Sequence, residues 1–515
     1  MKPKLTIIAI CALCLFCITP GVAQTQTNVV SKPVQNVWYQ SAGYEVWPLE
    51  HTDAHSSLFL WQPASKMKAD LFVTFDNETM TASTSKVQFS DKRYCSYRAF
   101  VGSDHRTRLI YLHENTAPKV CHLHLDVLNS EVERNNLVLD ADIYTFEFEI
   151  DYEIKFVQSP DKEHFAFLIY HKDYADNVSK IHAVVFDQNG NIVWENDVVP
   201  EFEEQFFRTF DYCMDNNGTI YLPVLSMNKD KDEKKITEQY LNLVRVQENG
   251  VETDRVEADF GFPSHAKVEN TQNGNVLLCG FYQEDLDELS TETGVFVFLY
   301  DPKKQEFTSS FHHDFDASYF AKYPKTDKGV PHPVHPWYQI LCNQIFESTN
   351  GDIVICAEHV SRKITYSVDY GSYTRRMGDI LLIRYVPGKS ITMQLVPKNQ
   401  SGVSRGNPLD WRHVFVSYTA FMRHNDLYLV YNDAVANIPY PGKGEEIAIS
   451  PWGANNKFAS VCTRITNDGK ILQMPLTMFS NSRMMYRDFL FADDQYLYVS
   501  MIEKDGIRFT KCPLP

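Results

Sequence analysis

The residues that could do chemistry in this chain are scattered, and most have a simpler reading. His332-Pro-Val-His335 lies downstream of His312, His313, Asp314 and Asp316. Imidazole nitrogens and carboxylate oxygens are suitable zinc ligands, and zinc usually takes four. The prolines keep that stretch extended, so helical spacing does not bring the two histidines together, and no metal site is expected there. Cys121-His122-Leu123-His124 reads as a strand, with His122 and His124 on one side as ordinary strand residues. Asp187, Asn189 and Asn191 imitate the start of a calcium loop, but Gly190 falls too early and no acid closes the loop, so a hairpin turn accounts for them. The acidic run Glu284-Asp285-Leu286-Asp287-Glu288 reads as a solvated loop. There is no Gly-x-Ser-x-Gly elbow and no phosphate-cradling glycine loop. No metal and no cofactor is expected, and no catalytic residue can be named.

A second set of residues suits binding. His332, His335, Trp337, Arg362, Tyr366, Tyr370, Tyr373, Arg375, Arg376, Arg405, Trp411, Arg412 and Trp452 mix bases with aromatics between positions 332 and 452. Arginine holds a carboxylate in a two-pronged hydrogen bond. Tryptophan and tyrosine offer flat amphipathic surfaces to a sugar ring or a partner side chain. Such a set would suit an acidic glycan, a peptide or a protein. Residue by residue, the simpler reading is that the aromatics pack loops onto a scaffold while the arginines stay solvated.

The scaffold shows itself as a repeat. Polar turns each followed by five to seven β-favouring residues recur as DNNGTIYLPVL from Asp215, TQNGNVLLCGF from Thr271, STNGDIVICAE from Ser348, RHNDLYLVYND from Arg423 and ADDQYLYVSMI from Ala492. Hairpins such as VVFDQNGNIVW from Val184 and TRITNDGKILQ from Thr463 alternate with them. Asn-Gly and Asp-Gly turns supply the positive φ angles that two tightly joined strands need. The units therefore have four strands, A to D, near 92–143, 150–199, 207–258, 263–314, 338–398 and 414–478, with a three-stranded remainder at 485–512.

This pattern resembles the β-propeller class over most of the chain, without the marks of a particular functional family. DQNGNIVW at Asp187 is similar to one quinoprotein-type repeat with its docking Trp194, and SPDKEHFAF at Ser159 to one TolB-type repeat lacking the usual glycine. The resemblance implies an all-β fold: a single propeller of four-stranded antiparallel blades over 91–515. A segment at 24–90 would lend the strand that closes the ring. Seven blades is the count the spacing favours, with six or eight open and a pair of smaller β domains as the alternative architecture.

Strand order then orients the disc. A–B and C–D turns emerge on one face and read as tight and polar. The B–C segments 227–239, 283–294, 361–379 and 434–456 emerge on the other face, as do the D–A connections 315–337 and 399–412. These read as long loops, and long loops on a rigid scaffold are where binding groups usually sit.

The N-terminus reads as a signal peptide, 1–23: Lys2 and Lys4, an apolar run from Leu5 to Ile18, and the small residues Gly21-Val22-Ala23. The run is short for a membrane anchor, and nothing after it is long and apolar enough to be transmembrane. A secreted or periplasmic protein is expected. The net charge of −17, two units deeper once Lys2 and Lys4 are removed, disfavours nucleic acid as a partner. Cys279 and Cys356 fall mid-strand and are expected to act as small buried hydrophobes, with few or no disulfides. The expectation is a binding or scaffold protein of the cell envelope with a protein or glycan ligand. The alternative is a hydrolase or lyase acting on an anionic polysaccharide.

Overall fold

The computed structural model describes residues 30–33, 45–52, 54–61, 70–87, 95–116, 118–128, 137–148, 151–172, 178–198, 206–229, 236–286, 292–322, 337–366, 371–398, 400–405, 417–434, 458–479, 484–503 and 506–514. The segment 1–23 lies outside them. These residues form eight antiparallel sheets, each built on four strands A to D. The strands follow in chain order except in the last sheet, which takes its fourth from the N-terminal Val30–Pro33, and two sheets carry a fifth strand. Blades 2 to 7 occupy 95–147, 151–198, 206–255, 262–314, 337–396 and 418–479. Inner strands touch one another around the ring, and the last, Met484–Ala492, meets the first, Glu45–His51.

The count is eight, not seven. Glu45–His51, His55–Trp61, Asp70–Asp76 and Ala82–Val87 make a complete blade 1. Its turns carry no Asn-Gly pair: Met80 holds the left-handed backbone position, at φ 57°, that glycine usually takes. The strand that closes the ring lies earlier still. Val30–Pro33 adds to the edge of blade 8, with Val30 opposite Lys511 and Pro33 opposite Arg508. The junction between blades 8 and 1 is further held by His51, stacked on Phe491 with ring centres 5.2 Å apart, and by Lys511 Nζ donating to the Asn77 carbonyl at 2.9 Å.

The turns show why these sequences form hairpins. At Asp187 the Gly190 amide donates to the Asp187 carbonyl at 3.0 Å, while the Asp187 carboxylate accepts from the amides of Asn189 and Asn191. Gly190 sits at φ 82°. Asp187, Asn189 and Asn191 thus serve the turn, as their spacing suggested. At Ser159 the missing glycine is replaced by Lys162, itself at φ 63°.

The core is divided among the gaps between successive sheets. One apolar cluster joins blades 2 and 3 around Phe165, Phe167 and Phe186. Another joins blades 3 and 4 around Leu168, Trp194 and Leu222. Others join blades 5 and 6 around Phe281, Ile355 and Ile383, and blades 6 and 7 around Cys356, Leu382 and Leu429. Cys279 and Cys356 are fully buried in these layers, and the seven cysteines whose surroundings are described are free thiols.

Candidate functional site

Blade 6 departs from the others on the B–C face. Its strands B and C, Ile353–Tyr366 and Gly371–Val386, run 14 and 16 residues, against at most 10 and 12 in the other blades. The stretch 361–379, expected as a loop, is mostly the outer part of this long hairpin. Residues 399–412, expected as a connection, contain the strand Gln400–Arg405, which pairs with the outer half of strand C. The result is a three-stranded arm carried beyond the blade.

The register of the arm sorts the candidate residues. Trp337 stands opposite Arg362, and Arg362 opposite Arg375. Directly opposed residues share a sheet face, as do residues two apart on one strand, so Tyr373 belongs to the same face. Arg376 takes the alternate position, as does Arg405 opposite Ser372. Tyr366, four residues beyond Arg362 and opposite Gly371, shares the face of Arg362, so the seven described candidates divide five and two between the faces. His332, His335, Tyr370, Trp411, Arg412 and Trp452 lie outside the described residues.

The face with Arg362 and Arg375 continues inward through the buried Val360 and Met377 to a sealed polar network between blades 6 and 7. Lys398 Nζ pairs with Glu358 and donates to Gln400 Oε1 at 3.0 Å. Ser417, at the entrance to blade 7, donates its hydroxyl to Glu358 Oε2 at 2.5 Å and its amide to Gln400. Gln400 Nε2 donates to the Asn432 carbonyl at 2.6 Å, and the Lys398 amide to Asp379 Oδ1 at 3.2 Å. Burial pulls the Lys398 ammonium below its ordinary value, while Glu358 works against that pull. The Lys398 and Glu358 side chains are 0% and 1% exposed, so no substrate reaches them. Their chemistry is structural: they fix the base of the arm to the next blade.

On the other side of blade 6, the helix Ala317–Lys322 brings the Tyr319 hydroxyl to 2.7 Å from His359 Nε2. Nearby Glu292 is buried, which pushes its carboxyl up to about 7 although the amides of Glu292 and Ile340 donate to it. These groups again sit in the scaffold beneath the B–C face. On the inner strands, Lys267 Nζ lies 3.1 Å from Asp211 and Lys155 pairs with Glu153.

Sequence reasoning missed Glu358, Lys398, Gln400 and Ser417. The available signal was a charge, Glu358, ending the apolar run Ile353-Val-Ile-Cys-Ala357.

No family model matches this sequence. No curated protein matches it either. Among solved structures it is similar to prolyl oligopeptidase B from Galerina marginata, at 9% identity and a TM-score of 0.40, over 90% of this chain and 56% of that one. The β-propeller domain of the Trilobed protease from Pyrococcus furiosus matches at 10% identity and a TM-score of 0.32, over 69% of this chain and 98% of that one. The polysaccharide lyase Uly1 matches at 9% identity and a TM-score of 0.31, over 92% and 90%. The chain spans little more than half the length of the prolyl peptidases it resembles.

Proposed function

We propose that this chain is an exported, non-enzymatic β-propeller of the cell envelope that holds an anionic glycan or an acidic protein segment on its B–C face. The observation that supports this most is the blade-6 arm. Its outer part, 361–377 with 400–405, carries Arg362, Lys363, Arg375, Arg376 and Arg405 against the single acid Asp369, in a chain whose net charge is −17. A basic arm attracts anionic groups that the acidic remainder of the chain repels, and arginine is suited to carboxylate and sulfate. Its base is braced by the Glu358–Lys398 network, so the arm starts from a fixed platform.

A hydrolase or lyase acting on an anionic polysaccharide is the competing reading. It requires several of these bases to meet at one reacting bond, whereas the register sets Arg376 and Arg405 on the face opposite Arg362 and Arg375.

The test is a glycan array and an affinity pull-down with the full chain, beside a product assay on uronate and sulfated polysaccharides. Binding without turnover, weakened at least tenfold in Arg362→Gln/Arg375→Gln, supports the proposal. Turnover of a polysaccharide, or binding unchanged by both arm variants, overturns it. N-terminal sequencing of the protein recovered outside the cytoplasm tests export, with cleavage expected after Ala23.

A further inference from the structure

Far from the arm, on the outer half of blade 2, four side chains converge in a way that none of the readings above uses. His124 and Asp126 lie on strand C, Lys119–Leu128, and Asp140 and Asp142 on strand D, Leu137–Glu147. The register sets His124 opposite Asp142 and Asp126 opposite Asp140, two adjacent cross-strand pairs on one face. His124 Nδ1 is 2.8 Å from Asp142 Oδ1. His124 Nε2 is 2.9 Å from Asp140 Oδ1 and 3.2 Å from Asp126 Oδ1. The ligand atoms of His124, Asp126 and Asp140 all lie within 4.8 Å of one another.

We propose that His124 Nε2, Asp126 and Asp140 form a three-ligand site for a divalent transition metal of the zinc type, with Asp142 fixing the imidazole from behind. Nitrogen and oxygen ligands about 2.0–2.2 Å from a tetrahedral metal stand about 3.3–3.6 Å from each other. Asp126 stands near that distance from Nε2, at 3.2 Å, and Asp140, at 2.9 Å, has only to draw back slightly. Metal-bound histidine commonly donates its other N–H to a carboxylate, which sets the tautomer and aims the free nitrogen at the ion. Asp142 does this for Nδ1. The side chains of His124 and Asp126 are each 11% exposed, while Asp140 and Asp142 are 48% and 55% exposed, so the site has a firm floor and an open mouth. Three protein ligands leave a position for water or a fourth donor. One imidazole with carboxylates favours zinc or its neighbours over calcium, which takes six to eight oxygens.

The next two blades supply a contrast. In blade 3, His182 likewise faces strand-D acids, with Nδ1 2.6 Å from Asp197. There the Tyr144 hydroxyl meets Nε2 at 2.7 Å and occupies the place an ion would take. In blade 4 the corresponding cation is Arg245, spanning Glu252 at 2.6 Å and Asp254 at 3.2 Å. Only in blade 2, among these three, do two carboxylates converge on a single imidazole nitrogen.

The experiment is isothermal titration of ZnCl2 into the full chain after dialysis against a chelator, with CaCl2 titrated in parallel. One zinc equivalent is expected in the wild type, lost in His124→Gln and in Asp140→Asn, and bound roughly 10–100-fold more weakly in Asp142→Asn. His182→Gln should bind as the wild type does. Asp140 is half exposed, so its variant should melt near the wild type and report on binding alone. No zinc uptake by the wild type, uptake unchanged in His124→Gln and Asp140→Asn, or calcium taking the site in preference to zinc would each overturn the assignment.

Discussion

Lys398 and Glu358, forty residues apart in the chain, form an ion pair closed off from solvent where blade 6 meets blade 7. A buried pair of this kind adds little net stability, but removing one member strands the other charge, at a cost of about 3–5 kcal/mol. Lys398→Met should therefore lower the urea midpoint strongly. Lys398→Met/Glu358→Gln should recover part of that loss, because no uncompensated charge remains. Equal stability of the single and double variants would contradict this account.

Two titrating groups, Glu292 buried and His265 half-buried, should give opposite pH dependences. Glu292 is raised to about 7 by burial, so the folded state holds its proton more tightly than the unfolded chain does. Its effect on stability is neutral below pH 4.5 and becomes unfavourable as pH climbs through 7, reaching at most about 3 kcal/mol. Glu292→Gln should stabilise the protein at pH 8 and do nothing at pH 4. His265 is lowered to about 4 by burial first, then by the charges of Lys267 and Arg208. It destabilises the fold as pH falls from 6.5 toward 4. His265→Gln should flatten the acid side of the curve and leave pH 8 unchanged. Denaturant titrations of both variants at pH 4, 6 and 8 check the signs.

Gly280 in strand B of blade 5 tests close packing of two backbones. A Cβ there would lie 1.9 Å from the His265 carbonyl oxygen and 2.7 Å from the Phe296 ring. Gly280→Ala should cost at least about 2 kcal/mol. Gly274→Ala, at φ 77° with nothing near its would-be Cβ, should cost about 1 kcal/mol through backbone strain alone. Reversal of that order in thermal melts would show the contact to be slack.

Deleting residues 24–36 removes the strand that closes the ring. Gly506–Pro513 then loses its outer neighbour and becomes a sheet edge. Limited proteolysis of the truncated protein should cut first within 484–513, and its melting temperature should fall. Cuts distributed evenly over the blades would argue against closure at this seam.

The propeller was legible where glycine marks the turns. Gly190, Gly218, Gly274, Gly351 and Gly469 all have positive φ and all fall in the hairpins that defined the repeat. It was illegible in blade 1, where Met80 takes that conformation, and the region before residue 90 therefore looked like a single donated strand rather than a blade preceded by one. The arm was hidden for a related reason. Ser, Thr, Tyr, Arg and two glycines between 361 and 379 resemble a loop, and pairing with one another and with Gln400–Arg405 makes strands of them. His122 and His124 were correctly placed on one face, but Asp140 and Asp142 come from the next strand. No spacing rule within one strand shows that their carboxylates would surround His124.

The pairing of Val30–Pro33 with Gly506–Pro513 also has a temporal side. A chain made from its N-terminus can complete blades 1 to 7 as they emerge, each against the one before. The strand at Val30 must wait, unpaired, until its partner has been synthesised, because Arg508 lies 475 residues beyond Pro33 (508 minus 33). Its late capture joins blade 8 to the opposite end of the polypeptide, so the completed ring differs from a nearly complete one by four residues at the start of the fold. A short exposed segment that waits this long is the natural place for a chaperone or a stray sheet edge to intervene.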